Sequence, residues 1–363
     1  MKRIGFLYEK ICDLANIEKA IVMSSRNKKR KRSVKRVLAD KGFYAKEIQK
    51  MLLSGKIPWG CDRYKSVVEP GSGKVRDVTI PSYYPDQIIH WAIMLVVAPI
   101  MKKGMARQSI GSIPGRGPLV GKRMVEGWLR NDRSLRAVFK ADIRRFFPSI
   151  RPQKMKELLR RDFKDRRLLS LLDEVIERGS RNPCGGLPIG YYTSQWLSNY
   201  YLNRMDQMIL RRIKPRHYVR YVDDIVMLDS NKRKIRRGGR ELQKFLEENG
   251  FGLCLKPNFQ TFKLHSRPID FLGYRFHDGY TDLRKRLFFH LMRSVRRFHR
   301  TGTERSARAA SSLIGWLRHI GSGKGFYLKV VKPLAPRRKL SAVISRSDRA
   351  RKAMLSENNP NPH

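Results

Sequence analysis

Between residues 216 and 230 the chain reads RHYVRYVDDIVMLDS, with the adjacent carboxylates Asp223 and Asp224 between two runs rich in Tyr, Val, Ile and Leu. Runs of that kind form strands, and the Asp pair falls where the chain must reverse, so a hairpin with both carboxylates at one end is expected. Side by side the carboxylates repel, which raises a carboxylate pKa unless a cation stands nearby. A divalent ion resolves the conflict, because Mg²⁺ prefers hard oxygen ligands and takes one or two carboxylates together with substrate phosphates. A third carboxylate from a neighbouring strand would complete such a site. Asp142, at the end of the apolar strand in RAVFKADIRRFFPSI (136–150), is the candidate. Alone, an Asp-Asp pair in a hairpin reads as a turn, so its meaning depends on what else the chain carries.

Charge supplies the first context. The 363 residues hold 79 Lys and Arg against 31 Asp and Glu, a formal charge of +48. A compact state of that charge repels itself unless polyanions or counterions screen it, which points to nucleic acid and to binding that weakens steeply with salt. The alternative is a merely soluble basic surface. A hydrophobic content of 41% is enough for two or three subdomains around a sizeable core. Cys12, Cys61, Cys184 and Cys254 are far apart, with no CxxC pair and no His at ligand spacing, so neither a zinc site nor a disulfide framework is indicated. No run approaches 18 uninterrupted apolar residues and no signal peptide is visible, so a cytoplasmic protein without a membrane partner is expected.

Along the chain, apolar positions at helical spacing over 4–22 precede the basic block SSRNKKRKRSVKR, a nucleic-acid arm or a solvated helix face. PGSGKVRDVTIPSYYPD (70–86) reads as a glycine turn, a strand and a Pro-bounded loop, followed by a buried helix at IIHWAIMLVVAPI. The spacing predicts a single helix over 155–179, and another over TSQWLSNYYLNRMDQMILRRI with Thr193 as its N-cap. After the hairpin come a helix ended by Gly250 and short strands at FGLCL and IDFLGYRF, then basic amphipathic helices and a polar tail from Lys332 that is partly disordered. Strands and helices mix without a βαβ repeat, which argues for an α+β fold with an antiparallel sheet.

The ordered set GKVRDVTIP, PGRG, ADIRRFF, LPIGYYTSQ, YVDD and FLG resembles the reverse transcriptase family over roughly residues 70–275. The resemblance implies a right-hand polymerase, with a basic helical extension at 1–69, fingers at 70–135, a palm at 136–276, a basic helical thumb at 277–332 and the tail at 333–363. It implies RNA-directed DNA synthesis by two Mg²⁺ ions, with Mn²⁺ tolerated, held by Asp142, Asp223, Asp224 and the backbone carbonyl of Ile143. Phe147 is then the aromatic group that excludes a 2′-hydroxyl. Lys74 and Arg76, alternating on a strand, form the nucleotide clamp. Arg116 and Ser194 face the template, and Phe271, Leu272 and Gly273 form the primer-grip turn. Near the position of the family's pyrophosphate-protonating lysine stand Phe259 or Gln260, with Lys256 as the substitute.

The motif Ile189-Gly190-x-x-x-Ser194-Gln195 departs from the Gln-Gly and Ser-Pro ends common in the family, and resembles the enzymes of diversity-generating retroelements and related prophage and defence-associated enzymes. That implies dNTPs, an RNA template and cDNA as partners, misincorporation opposite template adenine, and a small accessory protein oligomer. The alternatives are a defence-associated enzyme that copies a structured non-coding RNA against phage, and a non-catalytic RNA-binding scaffold. Either retroelement or defence role implies a bacterial, phage or prophage source.

Overall fold

The computed structural model describes residues 3–68, 73, 75–181 and 185–357, so Lys74 and Cys184 lie outside the described residues. The chain divides into two compact units, Met1–Glu69 with Lys74–Met124 and Ser134–Lys263, and Pro70–Gly73 with Val125–Arg133 and Leu264–His363.

The first unit contains a two-stranded ribbon of β1 (Arg63–Val68) and β2 (Val75–Ile80), and a four-stranded sheet of β3 (Ala137–Asp142), β4 (His217–Tyr221), β5 (Asp224–Asp229) and β6 (Gln260–Lys263). The sheet order is β4-β5-β3-β6 and every pairing is antiparallel. Within β3 and β5 most side chains are buried on both faces, with Lys140 and the strand-end Asp142 and Asp224 half-buried. The core covering the sheet includes the helices Tyr192–Met208 and Lys232–Glu248. The second of these approaches closely because Gly239 lies against the Phe139 ring, where an added Cβ would stand 2.3 Å from a ring carbon.

Three local expectations are corrected, and the polar tail gains a helix. Residues 155–179 form not one helix but two, Pro152–Asp162 and Arg166–Ser180. Asp165 interrupts them: its Oδ1 caps Leu168 N at 3.2 Å while Oδ2 accepts from Leu7 N at 2.7 Å and Tyr8 N at 2.9 Å, binding the N-terminal segment. Thr193 is not the N-cap, since the helix opens at Tyr192 and Thr193 Oγ1 shares a hydrogen bond with His90 Nδ1 at 3.0 Å. FGLCL forms no strand and contributes only a bridge from Leu255 to Ile143. The polar C-terminal stretch forms the helix Arg337–Glu357, anchored by buried Leu340 and by Arg308 on Asp348 at 2.7 Å.

The second unit has a three-stranded antiparallel sheet, β7 (Ile269–Phe271), β8 (Tyr274–Phe276) and β9 (Thr281–Leu283), with the helices Lys285–Thr301 and Glu304–Ile314. One stretch, Tyr83–Gly104, is long and apolar enough to cross a membrane by length and composition. Its helix Ile88–Gly104 carries eight residues of the first unit's hydrophobic core.

Candidate active site

The register of β3 against β5 sets Asp142 directly opposite Asp224, and that of β4 against β5 pairs Tyr221 with Asp224. Val222 and Asp223 are left as a two-residue turn, with Val222 at φ +56°. Ile143 N donates to Asp223 O at 3.1 Å, which stitches the turn to the end of β3. Lys256 N donates to Asp142 O at 2.8 Å from the other side.

Burial pushes the Asp223 carboxyl above its ordinary range, the Asp142 charge adds to the shift, and Lys256 and Arg76 offset part of it. Lys256 Nζ stands 2.5 Å from Asp142 Oδ1, an ion pair that offsets part of the local negative charge. Asp224 forms an ion pair with Lys140 of β3.

These residues fit a hard divalent cation in one respect. Asp142 and Asp223 are like charges in a partly desolvated setting, and their repulsion is what such an ion relieves. Among the described residues no three Asp, Glu, His or Cys side chains converge at metal-ligand spacing, and Asp224 is paired with Lys140. Asp142 and Asp223 would therefore hold the ion, with Asp224 joining on release of Lys140.

The other expected site residues fall in separate places. Arg76, on β2 opposite Val67, lies close enough to Asp223 to lower its pKa. Phe146 is buried and Phe147 half-buried, and Phe147 O accepts from Leu187 N at 3.0 Å. The pocket loop joins the ribbon through its backbone: Thr79 N donates to Ile189 O at 2.7 Å. Gly190, at φ +128°, lies so close that an added Cβ would stand 2.0 Å from Thr79 O. Ser194 is buried, whereas Gln195 is exposed. Gly190 and Gln195 line a cavity of about 190 Å³ with Lys28, Gln87, Trp91 and Tyr192, and the last two aromatic rings stack at 3.8 Å.

Arg116 is half-buried, and its Nη1 donates to the carbonyls of Ala106 at 2.7 Å and Ser109 at 2.8 Å, holding a loop that abuts β4. Phe271 is wholly buried and Leu272 and Gly273 have positive φ; all three belong to the second unit. Phe259 packs its ring near Phe139 and Gln260 is exposed on β6, so Lys256 is the group of that segment beside the carboxylates.

Sequence reasoning missed several supporting residues. Lys140 looked like one more surface lysine. Tyr191 donates to Asp62 Oδ2 at 2.5 Å, and Arg178 lies 3.5 Å from Asp62 and 3.4 Å from Asp86, which ties the pocket loop to the approach to β1. Arg220 is fully buried with Asp206. Its signal was present: a charged residue in the apolar run YVRYV requires a buried partner.

Residues 69–276 match the family model described as reverse transcriptase (RNA-dependent DNA polymerase). Among curated proteins the chain is similar to Protein YkfC of Escherichia coli strain K12, at 28% identity over 153 residues, 40% of each sequence. The chain thus spans well under half the length of that relative. Among solved structures it is similar to the apo telomerase of Candida tropicalis truncated from its C-terminal domain, at 12% identity and TM-score 0.46, covering 61% of this chain and 55% of that one. A Candida albicans telomerase in complex with a fragment of telomeric RNA gives 12% identity and TM-score 0.44, over 75% of this chain and 55% of that one.

Proposed function

Since the chain belongs to the reverse transcriptase (RNA-dependent DNA polymerase) family of right-hand polymerases, we propose that it extends a primer on an RNA template with dNTPs. The observation that carries this is the convergence of Asp142 and Asp223, joined by the Ile143–Asp223 backbone bond, at the open end of the β3–β5 pair. Bound Mg²⁺ would make the primer 3′-hydroxyl more acidic and stabilise charge on the transferred phosphoryl group. Asp142 and Asp223 orient that chemistry, and Arg76 supplies a planar cation for the triphosphate. Lys256, beside Asp142, is placed to hand a proton to departing pyrophosphate. In this reading fingers run over 70–135, the palm over 136–276 and the thumb over 277–332.

Primer extension on an RNA template tests the reading. Changing Asp223 and Asp224 to Ala is expected to abolish incorporation and leave RNA binding nearly intact; equal loss of both would make the pair structural.

We further assign the enzyme to the diversity-generating retroelement type, working with an accessory protein on a dedicated template RNA. Half-exposed Ile189 beside Gly190 and Gln195 supports this, because an apolar branched group offers the nascent pair no amide partner. Ile189→Gln is expected to lower errors opposite template adenine, measured by sequencing the cDNA. An unchanged error spectrum, with protection against phage, would place the enzyme among defence-associated relatives instead.

A further inference from the structure

The strand that delivers Asp223 holds a guanidinium with no exposure to solvent. Arg220 is 0% exposed in β4, and its five N–H groups meet five acceptors. Nε donates to Asp206 Oδ1 at 2.8 Å, and Nη2 to Asp206 Oδ2 at 2.7 Å and Ser109 Oγ at 2.8 Å. Nη1 donates to Asn199 Oδ1 at 3.1 Å and to the carbonyl of Val222 at 2.7 Å.

Charge balance explains only part of this. The bidentate pair with Asp206 neutralises the guanidinium; the bond to Val222 O is a separate feature. Val222 immediately precedes Asp223, and a β-branched residue at φ +56° is strained. Such a conformation persists only where the surroundings over-determine it. Gly111 packs on the turn from one side, where an added Cβ would stand 2.6 Å from Val222 N, and Arg220 Nη1 holds its carbonyl from the other. Asn199 extends the network, since its Nδ2 donates to Gly111 O at 2.8 Å and to Gln195 O at 3.1 Å.

We infer that Arg220 is a positioning residue: it holds the strained Val222 turn so that Asp223 faces Asp142, and thereby links divalent-ion affinity to the helix that opens beside Gln195. The inference rests on the polymerase reading of the carboxylates. Lys at this position keeps the charge for Asp206 but lacks the fork that reaches Val222 O.

Mn²⁺ titration of the full chain, with free ion read by electron paramagnetic resonance, tests the inference without turnover. R220K is expected to weaken Mn²⁺ binding about tenfold, and primer extension by the same variant to need correspondingly more Mg²⁺ with little change in the KM for dNTP. Adding V222G to R220K, which relieves the strain at positive φ, is expected to restore most of the affinity. Wild-type Mn²⁺ affinity in R220K that melts cooperatively would overturn the inference, as would a double variant no better than R220K. Should R220K fail to fold, N199A, which leaves the Asp206 pair intact, is expected to weaken Mn²⁺ binding in the same direction, and unchanged binding there counts against it equally. A wild-type chain that binds Mn²⁺ but extends no primer would overturn the polymerase reading alone.

Discussion

Phe147 packs half-buried against the core, and the Leu187 bond to its carbonyl fixes the backbone that carries the ring. Phe147→Ala is expected to relax discrimination against ribonucleotides by about tenfold or more, read as the ratio of kcat/KM for dNTP and rNTP; unchanged selectivity would remove its gating role. His90 gives a prediction of another kind. Burial, helped by the nearby Arg178 charge, pushes its pKa down to about 3, so the folded chain keeps it neutral where the unfolded chain protonates it. The unfolded state therefore binds more protons between roughly pH 6.5 and 3, and stability falls with acidification across that window. Thermal melts at pH 7 and 5 are expected to show His90 contributing a loss of about 2 kcal/mol, some 4–8 °C, which His90→Gln removes; equal pH dependence in the two proteins would contradict the assignment. Asp142, Asp223 and Asp224 were legible in the sequence because a carboxylate at the end of an apolar strand is costly unless a cation meets it there. Lys256 was picked out only as a proton donor and Lys140 not at all, since nothing in a chain with so many cations marks the two that pair with those carboxylates.

At the scale of elements, the pocket loop and the β1–β2 ribbon meet backbone to backbone at Thr79 and Ile189, and Gly190 makes that approach possible. Gly190→Ala is expected to push the loop off the ribbon, lowering stability by about 1–3 kcal/mol and raising the KM for dNTP. A variant with wild-type melting and KM would mean that the contact is dispensable. The sequence marked this glycine only as part of a motif; the neighbour that its missing Cβ accommodates is a carbonyl of the same chain. The break between Pro152–Asp162 and Arg166–Ser180 was invisible for a related reason. Apolar spacing continues through it, and the interruption is imposed by bonds from Asp165 to Leu7 and Tyr8, far away in sequence. Alternation and helical periodicity revealed the strands and helices; the tertiary bonds that cut or cap them leave no local trace.

For the whole molecule, a formal charge of +48 would make electrostatic attraction the main source of affinity for the RNA template proposed above. Neutralising about six phosphates on a single strand predicts that affinity falls on the order of 10²-fold between 50 and 200 mM salt, measurable by fluorescence anisotropy. A nearly flat salt dependence would mean that the basic surface serves something other than RNA. The sheet order also bears on how the chain is made. β3 lies between β5 and β6, both of which come later in the sequence. During synthesis one of its hydrogen-bonding edges stays unpartnered until β5 has emerged and the other until residue 263 has, a delay on the order of 10 s at ordinary elongation rates. The strand that ends in Asp142 is thus the nascent chain's most exposed template for mispairing, and fragments that stop before β5 are expected to aggregate.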